Sequence, residues 1–121
     1  MTMHTNRIPQ FGDIYYAKLM GGEHIQGGIR PVVIAQNNIG NKHSPTIEVI
    51  PMSSRIQKAR YMPTHVLVHP DNQNHLPFDS IVLAEQVVTI NKKMLVNHIG
   101  SLNDETMRLI GEARRIQSPF L

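Results

Sequence analysis

The sequence predicts an α+β domain in which a small curled antiparallel sheet, or open barrel, is closed by a C-terminal helix. Three observations carry that expectation. Short β-rich runs punctuated by Gly, Pro, Asn and Ser fill the first two-thirds of the chain. The apolar period then lengthens to that of a helix in the last third. The whole is 121 residues long, which fits one domain and leaves no room for a second.

Taken in order, residues 1–10 read as a flexible N-terminal arm, and the domain proper as 11–121. Ile14-Tyr15-Tyr16-Ala17 is β-rich and predicts the first strand. Residues 20–28, MGGEHIQGG, hold four glycines and predict a mobile loop. Ile29 to Gln36 predicts a second strand, whose run Val32-Val33-Ile34-Ala35 implies cover on both faces. Pro31 lies near its start, where a missing N–H is tolerated. Asn37 to Pro45 carries turn chemistry. Thr46–Met52 and Thr64–Val68 predict two more strands, residues 69–79 a polar loop, and Ser80–Ile90 one or two further strands. Lys92–Ile99 reads as a short helix with Met94, Leu95 and Ile99 inward, ended by Gly100. Ser101 or Asn103 then caps a longer helix with Asp104 and Glu105 in its first turn and Arg114 and Arg115 in its last, matching the macrodipole. Met107, Ile110, Ala113 and Ile116 supply its inward stripe.

Composition excludes several classes of function. With 40% hydrophobic and 17% charged residues the chain is globular rather than disordered. It has no cysteine, which removes a disulfide framework, a thiolate zinc site and a thiol nucleophile, and suits a reducing cytoplasm. No apolar run approaches the roughly 18–20 residues of a membrane span, and Met1–Phe11 lacks the apolar stretch of a signal peptide. A cytoplasmic protein without membrane association is therefore expected. The net charge of +3 is modest, but its placement is informative. Between residues 30 and 60 stand Arg30, Lys42, Arg55, Lys58 and Arg60 against the single acid Glu48. Such a patch suits a polyanion, although it is also compatible with a merely solvated basic face.

Five blocks in fixed order carry a resemblance. GDIYYAKL (12–19), QGGIRPVVIAQN (26–37), GNKHSPT (40–46), RIQKARYMPTHV (55–66) and DSIVLAEQVVTINKKML (79–95) together resemble the MazF/PemK toxin family over roughly residues 11–115. The GG-x-RP element is the most diagnostic piece. The resemblance implies a CcdB/PemK-like fold, an open SH3-like barrel or curled sheet with a C-terminal helix. It also implies a type II toxin–antitoxin endoribonuclease that acts on single-stranded RNA as a homodimer and is inhibited by a cognate antitoxin. Cleavage would use the substrate's 2′-hydroxyl and leave a 2′,3′-cyclic phosphate and a 5′-hydroxyl. A CcdB-like gyrase inhibitor and a catalytically silent RNA-binding module of the same fold are the alternatives.

That chemistry needs a proton removed from the 2′-hydroxyl, the phosphorane charge neutralised and the leaving oxygen protonated. Arg30 suits the charge, because a guanidinium offers a planar fork to two phosphate oxygens and stays ionised. By residue type alone it is equally a surface or ion-pair arginine. Gly27 and Gly28 beside it allow RNA close to the backbone. Ser53 matches a position the family usually fills with threonine, and its hydroxyl can donate to a phosphate oxygen. Ser54 is an adjacent hydroxyl, and a strand-end serine also commonly bonds its own backbone. Candidates for proton transfer are Glu23, His24 and His65. Glu23, Gln26, Ser54, His65, Glu85 and Gln86 fall where the resemblance implies RNA contacts, and Tyr61 can stack on a base. Val88 departs from the family, which commonly has a basic residue there, and the Gly21–Gly28 loop is slightly short. His65 and His69 are four apart but lack the helical setting and the carboxylates of a metal site, so no metal and no cofactor is expected.

Overall fold

In a computed structural model of the chain, residues 7–20, 28–55 and 62–119 are described. They contain seven strands: β1 (Asp13–Leu19), β2 (Gly28–Ile34), β3 (Thr46–Ser53), β4 (His65–Val68), β5 (Ser80–Leu83), β6 (Val88–Asn91) and β7 (Leu95–Ser101). Two α-helices accompany them, α1 (Asn38–His43) and α2 (Asp104–Gln117). The strands form one antiparallel sheet in the order β4-β5-β3-β2-β1-β7, with β6 also paired to β3. Among the described residues the outer strands β4 and β7 do not meet, so the sheet curls without closing into a barrel. This bears out the expected α+β sheet with a C-terminal helix, in its open form.

Strict alternation gives the sheet two apolar faces. Ile14, Val33, Ile50, Met52, Val66, Val68 and Val82 point to one side, where α2 covers them with Ile110 and Ala113. Tyr15, Ala17, Leu19, Val32, Ile34, Ile47, Val49 and Leu95 pack on the other. The continuous apolar run in β2 is thus explained by cover on both sides, since Val32, Val33 and Ile34 are all fully buried. Helix α2 starts where Asn103 Oδ1 accepts from the Thr106 N–H at 2.8 Å, so the cap is Asn103 rather than Ser101. Its inward stripe is shorter than expected. Ile116 is 56% exposed.

Two further expectations are corrected. Residues 37–45 are not only turn: Asn37 Oδ1 accepts from the Gly40 N–H at 2.9 Å and starts α1. The buried Asn41 amide then fastens it by donating to the Gln36 carbonyl at 2.8 Å. A one-and-a-half-turn polar helix has no apolar period to betray it. The short helix expected over Lys92–Ile99 is instead a single 3₁₀ turn, Lys92–Met94, followed by β7. Pairing with β1 supplies β7 with a ladder of hydrogen bonds, and this tertiary gain outweighs local helix preference. Gly100 is therefore not a helix stop. It lies in β7 opposite Ile14, and a Cβ there would stand 2.4 Å from the Gln73 carbonyl oxygen.

Gly100→Ala is expected to cost at least about 2 kcal/mol by overpacking against backbone, read as a lower urea midpoint. Gly111→Ala is its control: a Cβ meets nothing within 4 Å in mid-helix, so this change should be neutral or stabilising by up to about 1 kcal/mol.

Candidate active site

The register of the sheet brings the leading candidates together. The β2–β3 ladder runs Val32↔Pro51, Val33↔Ile50, Ile34↔Val49. Arg30 lies two residues before Val32 on β2 and Ser53 two residues beyond Pro51 on β3, at the same end of that ladder. Alternation puts both on the face of Val32 and Val49, and Arg30 is paired in register with Ala17 of that same face. Arg30 is half-buried and Ser53 buried. A cation and a hydroxyl thus stand on one face at the same end of the β2–β3 ladder. The Gly28 backbone has φ of +78°, a conformation that glycine adopts without strain, and a Cβ there would meet nothing within 4 Å.

The two serines are clearly different. Ser53 is inside the ladder, opposite Ile81 of β5, whereas Ser54 is exposed beyond it. Ser53 Oγ accepts from the Arg55 N–H at 3.1 Å. This is the local backbone bond that a strand-end serine commonly makes, and it still leaves the hydroxyl proton available for donation. Arg55 itself is exposed.

Crossing the sheet from Ser53 through Ile81 leads to Leu67 of β4, and one pleat further to the Leu83↔His65 pair. His65 therefore shares the face of Ser53, about 10 Å across and about 7 Å along the sheet from it by strand geometry. Its ring is held at Nε2, 2.9 Å from Glu85 Oε2. Thr64 Oγ1 donates to the other oxygen of Glu85 at 3.0 Å, and the Gln86 amide lies 3.5 Å from Oε2. Glu85 and Gln86 sit on the 3₁₀ turn Ala84–Gln86 between β5 and β6. That turn is fastened from two sides. The Ala84 N–H donates to the Thr64 carbonyl at 3.0 Å, and Arg114 of α2 donates to the Ala84 carbonyl at 3.3 Å.

Glu23, His24, Gln26, Gly27 and Tyr61 lie outside the described residues, as do Lys58 and Arg60 of the basic patch. His69 is apart from the others, its Nδ1 paired with Asp79 at 2.9 Å on the surface. Among the described residues no group of three or more His, Cys, Asp or Glu side chains is arranged to hold a metal. Val88 is half-buried opposite Val49 and lines an apolar cleft of about 350 Å³ with Lys18, Met20 and Met94. No described helix is long and apolar enough to cross a membrane.

A family model for the PemK-like, MazF-like toxin of type II toxin–antitoxin systems matches residues 10–117. The chain belongs to this family. Among its MazF-like relatives, endoribonuclease EndoA of Bacillus subtilis is 44% identical over 112 residues, covering 90% of this chain and 93% of EndoA. The fold is shared with MazF from Deinococcus radiodurans, at 18% identity and a TM-score of 0.76, over 92% of this chain and 96% of that one. It is shared equally with a mycobacterial endoribonuclease solved in complex with its cognate antitoxin, at 24% identity and a TM-score of 0.75, over 93% and 97% of the two chains. In the MazF-like fold Thr64 is the residue that sequence reading passed over. It carries no motif signal, because its partner Glu85 is 21 residues away in the chain.

The Glu85 carboxyl is pushed up by its burial, but hydrogen bonds from His65, its own backbone N–H and Thr64 outweigh this and hold it below the usual glutamate range. A depressed carboxyl contributes stability that is present above its unfolded value and is lost as pH falls through the folded one. Glu85→Gln should therefore flatten the acid side of the stability profile below about pH 4. Thermal midpoints measured across that range check this, and an unaltered acid limb would contradict it.

Proposed function

We propose that this MazF-like endoribonuclease toxin cuts single-stranded RNA at selected sequences by attack of the substrate's own 2′-hydroxyl, without a metal ion. The products are a 2′,3′-cyclic phosphate and a 5′-hydroxyl. The observation that carries this reading is the convergence of Arg30 and Ser53 on one face at adjoining strand ends. Arg30 neutralises the charge that grows on the non-bridging oxygens, and the Ser53 hydroxyl donates to one of them. Serine keeps threonine's hydroxyl but lacks the methyl that restricts its rotamer, so cleavage persists at a reduced rate. Gly27 and Gly28 let the phosphate approach the main chain.

The other candidates serve recognition. Ser54, Glu85 and Gln86, with Glu23 and Gln26, offer hydroxyl, carboxylate and amide groups to the edges of unstacked bases. The His65 side chain is only 7% exposed, which suits it to support Glu85 rather than to shuttle protons. Water takes the 2′-hydroxyl proton and returns one to the leaving 5′-oxygen, and most of the rate is supplied by positioning the 2′-hydroxyl in line and by charge neutralisation. The active species is a homodimer, restrained by a cognate antitoxin. A gyrase-poisoning role leaves the Arg30–Ser53 pair without a purpose.

The test is cleavage of a long single-stranded RNA in EDTA, with the cut ends mapped and their chemistry assigned. Wild type is expected to give cyclic-phosphate ends, and a 2′-deoxy substitution at the cut site to stop cleavage while binding remains. Arg30→Ala should lower cleavage at least about 100-fold with its fold intact. Near-normal turnover in that variant, or activity that only added metal restores, would falsify the assignment. Affinity should also fall with rising salt, as it does when cations track phosphates, and an affinity indifferent to salt would argue against a phosphate-lined groove.

A further inference from the structure

Glu85 is gripped from beneath. Two of its donors, Thr64 and His65, are almost fully inaccessible, with Thr64 5% exposed and the His65 side chain 7%, whereas the Glu85 side chain is 21% exposed. An ionised carboxylate only accepts, so His65 must carry its proton on Nε2 and Thr64 must turn its O–H toward Oε1. Thr64 is tied twice, since its carbonyl also accepts the Ala84 N–H at 3.0 Å, one residue before Glu85. The start of β4 is thereby tied to the 3₁₀ turn through both the Glu85 carboxylate and the main chain, and Arg114 of α2 holds the same turn at the Ala84 carbonyl. Such an arrangement is not needed for stability, because well-packed apolar residues commonly serve as well in place of partly buried polar clusters. It does fix the direction of the carboxylate. Thr64, His65 and, at 3.5 Å, the Gln86 amide take up part of its acceptor capacity, and the 21% of the side chain that is exposed leaves the rest open to a ligand.

We propose that Thr64 is a positioning residue for RNA recognition: with His65 it fixes Glu85 as an outward-facing acceptor, which selects a base bearing an exocyclic amine and turns uracil away. The inference rests on the reading above in which Glu85 touches RNA. Adenine and cytosine, and guanine on its Watson–Crick edge, present amino donors that a carboxylate accepts. Uracil presents one N–H flanked by two carbonyl oxygens, and these repel it. The hydrogen bonds that hold the Glu85 carboxyl low also keep it from acquiring the proton that would let it serve a carbonyl.

The experiment is digestion of a randomised single-stranded RNA pool by wild type, Thr64→Val, Thr64→Ser and Glu85→Gln, with the cut ends sequenced. Wild type is expected to deplete uracil about tenfold at one position near the cut, the scale of one good base contact. Glu85→Gln and Thr64→Val should accept uracil at that same position, and Thr64→Ser should keep the wild-type profile. Thr64→Ala, which adds no bulk, replaces the valine variant if the latter fails to fold. An unselective slowing at every sequence, with the profile unchanged, would mark Thr64 as merely structural and overturn the proposal. So would a wild-type profile without uracil depletion. If Glu85→Gln alters the profile and the Thr64 variants do not, positioning by Thr64 is wrong while Glu85 remains a contact. If Glu85→Gln also leaves the profile untouched, the assignment of Glu85 to RNA fails as well.

Discussion

The antiparallel pairing of β3 is the constraint on which the rest depends. One edge of this strand holds β2, while the other holds β6 along its first half and β5 at its end. Six of its eight residues are buried, so a slip of one residue would turn Ile47 and Val49 over against Ile50 and Met52 and exchange the two apolar faces. That cost fixes the register, and the register in turn fixes where the ends of β2 and β3 fall. Arg30 and Ser53 fall on one face at the same end of the β2–β3 ladder because two cores, one on each side of the sheet, fix this alignment.

The same economy organises the second half of the site. Helix α2 packs on the face opposite Ser53, yet its Arg114 reaches the carbonyl of Ala84 and steadies the turn that carries Glu85. Core packing and the proposed recognition groups therefore share elements without sharing surfaces. Apolar side chains fill the α2 face, and the polar groups collect at strand ends and at one tight turn, where backbone donors and acceptors are already at hand. This is also where a polyanion can approach without disturbing the core.

How much of this the sequence discloses depends on the kind of signal. Strong apolar alternation and capping chemistry located β2, β3, β4 and α2, because those features arise from local geometry. The blocks of family resemblance placed Arg30, Ser53, His65, Glu85 and Gln86 without showing how they are joined. Signals that are tertiary were missed. The segment 95–101 becomes a strand only because β1 offers an open edge, and Gly100 is small because the Gln73 carbonyl crosses it, not because a helix ends there. Helix α1 is held by asparagine side chains instead of an apolar stripe. Thr64 gains its meaning from a carboxylate two elements away, which no local pattern encodes.

Arg30 and Ser53 are proposed to act on one phosphate. A double-mutant cycle on single-turnover cleavage measures this directly, using Arg30→Ala, Ser53→Ala and the pair. Groups that work as a unit are strongly non-additive. The doubly substituted protein should be little slower than Arg30→Ala alone. Losses that simply multiply would show that the two residues act independently and contradict joint action on one phosphate.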